Sequence, residues 1–251
     1  MRFSTWNQGP LRGAITAAAL LAAGAGVARA DDPQADAPLP RMVRMSDERQ
    51  RTQWAHPEAR GAIFREASRY SARVGRLRLR TEDRFPEVYI VLRQYTDSNF
   101  QKWLEVRIPG RPNGRKGWVR RETLGTLRTN TQQLVVNRTM LRATLYDGGR
   151  RVWSARVGIG AAGTGTPAGR YYVREKFTFQ NAPVYGTRAI GTSAYAPGLS
   201  DWPNGGVIGI HGTDQPGLIP GRVSHGCVRV RNKALKGLYR RIRIGTPIQI
   251  R

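Results

Sequence analysis

Hydrophobic and polar residues alternate with a period of two over most of this 251-residue chain. That is the pattern of half-buried strands. Leu77 and Leu79 alternate with Arg76, Arg78 and Arg80, and Val88–Leu92, Trp103–Arg107 and Gly117-Trp118-Val119 follow as short apolar runs. A turn-rich stretch, Pro109 to Gly114, separates the last two. Short strands punctuated in this way predict a small β-barrel over residues 71–125. From Gln132 a second β pattern begins. Leu134-Val135-Val136 is followed by Leu141, Ala143 and Leu145 alternating with polar neighbours, then the hairpin signal Asp147-Gly148-Gly149. Trp153, Ala155, Val157 and Ile159 share one face of the return strand. After a glycine-rich loop, Gly160 to Gly169, strands are predicted at Arg170–Lys176, Val207–Ile210, around Val228 and Val230, and at Thr246–Ile250.

The helical period occurs twice. Pro57 suits a first helical position, with Ile63, Ala67 and Tyr70 at helical spacing behind it, which predicts a short helix within 57–70. Near the C-terminus, Asn232 is a good N-cap; Leu235, Leu238, Tyr239 and Ile242 fall on one face, and Gly245 ends the segment. Residues 181–206 show little periodicity. A connection this long reads as a binding loop, in which Tyr185, Tyr195 and Trp202 either line a groove or pack to fix the loop.

The ends set compartment and partners. Residues 1–30 read as a secretory signal: Arg2 and Arg12, an apolar run from Ala14 to Ala28, then Ala28-Arg29-Ala30. The run is short for a membrane span, so membrane attachment is expected only if the segment stays uncleaved. Residues 31–70 read as a linker rich in Asp, Ala and Pro followed by the short helix. The formal charge of +25 is spread along the chain, not held in one tract. It fits anionic wall polymers and is weak support for nucleic acid, so no nucleic-acid partner is expected.

Chemistry concentrates between His211 and Asn232. This stretch holds Cys227, the only cysteine, and two of the three histidines. An unpaired thiol in an exported protein points to reactivity, not to a disulfide. A free thiol has a pKa near ~8.5, so a nucleophilic Cys227 needs a base, and His211 or His225 can serve. Gly226 leaves backbone N–H groups beside Cys227 open to a developing oxyanion. Two plainer readings compete. A lone cysteine is usually a small buried hydrophobe. His211, His225 and Cys227 are also three potential zinc ligands, yet Asp214 is the only carboxylate in the intervening loop and no CxxC or HxxxH spacing exists. Neither a metal nor a cofactor is expected.

His211, then a loop, then Ser224-His225-Gly226-Cys227 and Arg229 resembles the active-site signature of the L,D-transpeptidase (YkuD) family. The hairpin, the Thr166-Pro167-Ala168-Gly169 turn and the next strand resemble the start of the same domain, so the resemblance covers 131–251. Over 71–125, the Trp103 strand, glycine loop and Gly117-Trp118-Val119 resemble a bacterial SH3-like domain. The resemblances imply a mainly β protein: a small SH3-like barrel, then a YkuD-type β-sandwich or barrel with one short C-terminal helix. They imply that Cys227 is acylated by a peptidoglycan stem peptide with release of D-Ala. His211 would be the general base, oriented through the Gly212 carbonyl. Ser224, His225, Arg229, Tyr195 and Trp202 are expected to contact substrate. An amine acceptor would make a cross-link, and water would make the protein an L,D-carboxypeptidase. The remaining alternative is a non-catalytic wall-binding protein.

Overall fold

The computed structural model describes residues 41–198 and 206–251. The signal segment, the linker through Pro40 and Trp202 lie outside the described residues. No described helix is long and apolar enough to cross a membrane.

The first sheet contains β1 (Arg41–Arg44), β2 (Thr52–Ala55), β3 (Ala62–Phe64), β4 (Arg73–Arg76), β5 (Tyr89–Thr96), β6 (Lys102–Arg107), β7 (Lys116–Arg120) and β8 (Arg128–Asn130). Their order is β4-β3-β7-β6-β5-β2-β8, with β1 also on β5. Ile63, Leu77, Tyr89, Val91, Leu104, Val106 and Val119 form its core. Trp103 and Trp118 are buried. The expectation of a linker and helix before residue 71 is corrected: β1, β2 and β3 already belong to this sheet, which runs from 41 to 130. Of the three residues at helical spacing only Ile63 is fully buried, and Tyr70 is 83% exposed. A helix this short is marginal without a packed face, so pairing of β3 with β4 and β7 prevails. The Leu77/Leu79 alternation is not a strand either. The chain leaves the sheet after Arg76, and residues 77–88 turn toward the C-terminal half.

That half contains β9 (Gln132–Asn137), β10 (Arg142–Asp147), β11 (Arg150–Gly160), β12 (Gly169–Thr178), β13 (Arg188–Tyr195), β14 (Val207–His211), β15 (Gly221–Ser224), β16 (Val228–Val230), α1 (Asn232–Arg241) and β17 (Pro247–Ile250). The order is β10-β9-β17-β12-β13-β14-β16-β11-β15, and a further β10–β11 pairing closes it into a ring, with β15 outside on β11. Gly148 and Gly149, at φ 55° and 80°, supply the two left-handed positions of the tight β10–β11 turn. Leu134, Val136, Leu145, Val157, Ile159 and Val230 fill the interior; α1 adds Leu235 and Leu238, and Ile242 follows just past its end. Each such side chain contributes roughly 1.5–3 kcal/mol on burial. Reading 181–206 as one long loop is corrected by β13. This strand is hydrogen-bonded on both sides and buried at nearly every position, so it has no polar face to produce alternation.

The two sheets are joined by a polar clamp and an apolar seam. Arg174 of β12 is 1% exposed and donates to Glu87 (Nε 2.8 Å, Nη2 2.5 Å) and to Glu82 (2.9 Å), both on the 77–88 segment. Tyr172 donates to the Val88 carbonyl (2.9 Å), and packs with Trp54, Ile90 and Leu92. Trp54 lies flat against Gly245, where a Cβ would come within 2.5 Å of the indole.

Candidate active site

Strands β14 and β16 run parallel, pairing Ile210 with Val228 and His211 with Arg229. This register carries His211 at the end of β14 and Cys227 just before β16 to the same place. Both side chains line a cavity of about 220 Å³, together with Tyr185, Ser224, His225 and Arg229. Cys227 is partly exposed. Its Sγ accepts the Gly209 N–H at 3.3 Å. Burial pushes the thiol pKa up, against the Gly209 bond and the Arg229 charge.

His211 is buried, and its Nδ1 lies 2.7 Å from the Gly212 carbonyl oxygen. A carbonyl only accepts, so Nδ1 carries the proton and Nε2 keeps its lone pair. Burial, helped by the Arg229 charge and opposed by the Gly212 bond, pulls the imidazole pKa down to about 4. The resting pair is therefore a neutral imidazole beside a neutral thiol.

The loop carrying Gly212 is built by residues the motif does not contain. Asn232 does not cap α1, whose N-cap is Arg231 without a side-chain bond. Its Oδ1 instead accepts the Thr213 N–H at 3.0 Å. The Gly212 N–H donates to the Tyr185 carbonyl at 2.8 Å. A Cβ on Gly212 would come within 2.1 Å of Asn232 Oδ1, so only glycine fits there. The Tyr185 ring meets the His211 ring edge-on at 4.8 Å. Tyr185 thus both packs the loop and lines the groove.

Three expected roles change, those of Gly226, Ser224 and Tyr195. The Gly226 N–H donates to Ser224 Oγ at 3.1 Å, and Ser224 Oγ donates to the Cys227 carbonyl at 2.6 Å. The Gly226 amide is therefore occupied by the turn, not open to an oxyanion, and the Ser224 hydroxyl is engaged in holding the Cys227 loop. Gly226 itself adopts φ 123°, with its carbonyl held by Thr166 Oγ1 at 2.7 Å. Tyr195 does not line either cavity that opens onto Cys227. It is 5% exposed, and its hydroxyl donates to Glu82 at 2.5 Å, so it belongs to the clamp. A tyrosine in a featureless stretch gave no sign of which neighbour it meets. Arg229 does line the cavity; one Nη lies 3.4 Å from Gln215 Oε1, while Nε is buried without a partner among the described residues. His225 is exposed at the rim. No group of three or more His, Cys, Asp or Glu among the described residues is arranged to hold a metal ion.

Known proteins share this half of the chain. Residues 131–250 match the family model for the YkuD L,D-transpeptidase catalytic domain. The "Probable L,D-transpeptidase ErfK/SrfK" of Salmonella typhimurium is 33% identical over 140 residues, covering 49% of this chain and 45% of that protein. "Probable L,D-transpeptidase YbiS" of Escherichia coli is 47% identical over 45 residues, 18% of this chain and 15% of that one. The chain thus matches less than half the length of either relative. Among solved structures, the catalytic domain of the E. faecium L,D-transpeptidase is 25% identical with a TM-score of 0.36, covering 48% of this chain and 96% of that one. Residues 131–250, which carry the Ser224-His225-Gly226-Cys227 loop set against His211, are thus similar to YkuD L,D-transpeptidase catalytic domains in sequence.

Proposed function

We propose that the protein is an exported peptidoglycan L,D-transpeptidase that works through a Cys227 thioester. The observation that carries this reading is the His211–Gly212 bond. It fixes the Nδ1–H tautomer and leaves Nε2 free in the cavity that also holds the thiol. Cys227 attacks the carbonyl of a tetrapeptide stem as His211 Nε2 takes its proton. His211 then returns the proton to the leaving amine, and D-Ala departs. With the Gly226 amide occupied, we assign the oxyanion to the Cys227 N–H; such a donor contributes roughly 3–4 kcal/mol in acyl-transfer enzymes. The half-buried Arg229, which lines the cavity, suits a substrate carboxylate. An amine from a second stem resolves the thioester and forms the cross-link. Water in its place would give L,D-carboxypeptidase activity. The intact pair of His211 and Cys227 speaks against a wall-binding protein without chemistry. The positive surface fits anionic wall polymers as a setting for the same reaction.

Purified disaccharide-tetrapeptide is the test substrate. Release of D-Ala with a cross-linked dimer is the expected product pattern. Hydrolysed tripeptide alone would shift the reading to carboxypeptidase, and unchanged substrate would reject it. The loop geometry gives a further expectation. Asn232→Ala should lower stability by only about 1 kcal/mol, one hydrogen bond. It should slow acylation about tenfold, because small misplacements of a catalytic group are costly. Thermal melting and single-turnover acylation measure the two effects separately.

A further inference from the structure

A second cavity, of about 270 Å³, also opens onto His211 and Cys227. Its chemistry is opposite to that of the first. Where the first contains Arg229, the second contains Glu175 from β12 and Asp83 from the 77–88 segment. No Lys or Arg among the described residues lines it, in a chain with 42 of them. Its walls are aromatic: Phe177 and Phe179 stack at 5.9 Å, and Tyr185 follows at 6.3 Å from Phe179. Carboxylates set beside aromatic side chains suit an ammonium group.

Glu175 is placed there by specific features of the fold. The β12–β13 register shifts between Val173 and Glu175, a bulge of the kind that redirects a side chain beside an active site. Its cross-strand partner is Gly191, where a Cβ would come within 2.4 Å of Glu175 Cγ, so glycine makes the space the carboxylate occupies. Thr81, on the 77–88 segment, donates to Glu175 Oε2 at 2.6 Å. The side chain is 1% exposed. We infer that this cavity takes the cationic amine that resolves the thioester, and that Glu175 accepts the proton which turns the ammonium into a nucleophile. The inference rests on the transpeptidase reading and adds a residue and a charge class to its second half-reaction.

The step balances. The acceptor R–NH₃⁺ gives one proton to the Glu175 carboxylate. The free amine adds to the thioester carbonyl, forming the C–N bond. The surplus proton on nitrogen passes to His211 Nε2, the C–S bond breaks, and His211 returns that proton to the departing thiolate. Glu175 releases its proton to solvent, and the enzyme is restored.

The pH behaviour agrees with the geometry. Burial pushes the Glu175 carboxyl up to about 7; Asp83 and Glu82 add to this, while the Thr81 bond and Arg174 oppose it. The other titratable groups facing the cavity are His211, Cys227 and Tyr185, and Lys176 follows Glu175 on its own strand. A base must be deprotonated, so aminolysis should rise as pH climbs through about 7.

Acyl-enzyme formed from the tetrapeptide donor is the starting material, which separates the two claims: if the wild-type protein forms none, the transpeptidase reading fails first. The acyl-enzyme is then treated with Nα-acetyl-lysine amide, a cationic amine, or with hydroxylamine, which is neutral at pH 7.5. Glu175→Gln should slow aminolysis by the lysine amide at least about tenfold and remove the inflection near pH 7. Hydroxylamine should react within about threefold of the wild-type rate, since it needs no proton removed first. Asp83→Asn should raise the amine concentration needed for half-maximal aminolysis. Melting temperatures check that both variants are folded. Equal losses with both nucleophiles, or an unchanged pH profile in Glu175→Gln, would overturn the inference.

Discussion

Replacing His211 with glutamine is expected to cut acylation of Cys227 by about 10²–10⁴, the usual contribution of a positioned base. The expectation follows from the resting protonation states. Burial keeps the thiol protonated at neutral pH and keeps the imidazole neutral down to about pH 4. The pair therefore does not rest as a thiolate and an imidazolium. On the proposed mechanism the thiolate forms only as substrate is attacked, with His211 Nε2 as the proton acceptor. Since only the neutral imidazole can take the proton, the acylation rate should rise through about pH 4 and then stay level until the thiol itself ionises. For the same reason iodoacetamide should alkylate Cys227 slowly at pH 7, with no step between pH 5 and 7. Such a step would reveal a preformed ion pair and contradict this account. His225, exposed at the rim, should show a smaller loss than His211 on the same substitution.

Arg174→Ala is expected to destabilise the protein by about 3–5 kcal/mol, the range for removing one partner of a buried ion pair. Its partner Glu87 is fully buried, so the change leaves that carboxylate with only the longer, 3.2 Å pair to the half-exposed Arg78. Glu82 shows how strongly the network is coupled. Burial works against its charge, but Arg174, the Tyr195 hydroxyl and Arg78 prevail and pull its carboxyl down to about 2. A depressed carboxylate contributes stability above its ordinary pKa of 4.5, and that contribution is lost as pH falls toward about 2. Urea unfolding at neutral pH measures the main effect, and a change below about 1 kcal/mol would mean that the clamp is not a principal tie between the sheets. Because Thr81 and Asp83 lie on the same clamped segment, the variant should also weaken use of the amine acceptor.

The sequence was most informative where chemistry demands rare residues at fixed offsets. The motif singled out His211, Gly212 and Cys227, and the fold brings His211 and Cys227 to one cavity with the Gly212 carbonyl on His211 Nδ1. Alternation also located β9, whose burial alternates residue by residue, and found β10 and β11 although their buried positions run consecutively. It failed for β13, which is buried on both faces, and for β1 to β3, which are too short to express a period. It also mistook helical spacing at Ile63, Ala67 and Tyr70 for a helix, since a single buried position does not make a packed face. The clamp and the Glu175 cavity were not legible, because they depend on residues 81–87 meeting residues 174 and 175 across the two sheets. One signal was present: Glu175 is the single acid on the strand face shared with Tyr171 and Val173. Likewise Asn232 reads as a helix cap in isolation, and only the fold brings Thr213 within its reach.

The central claim is that Cys227 is an activated acyl acceptor. Intact mass after incubation with a carbapenem tests it most directly, on the wild-type protein and on Cys227→Ala. A single adduct on the wild type, equal to the whole drug and absent from the variant, is the predicted result. No adduct on folded, reduced wild-type protein, or an equal adduct on both proteins, would contradict it.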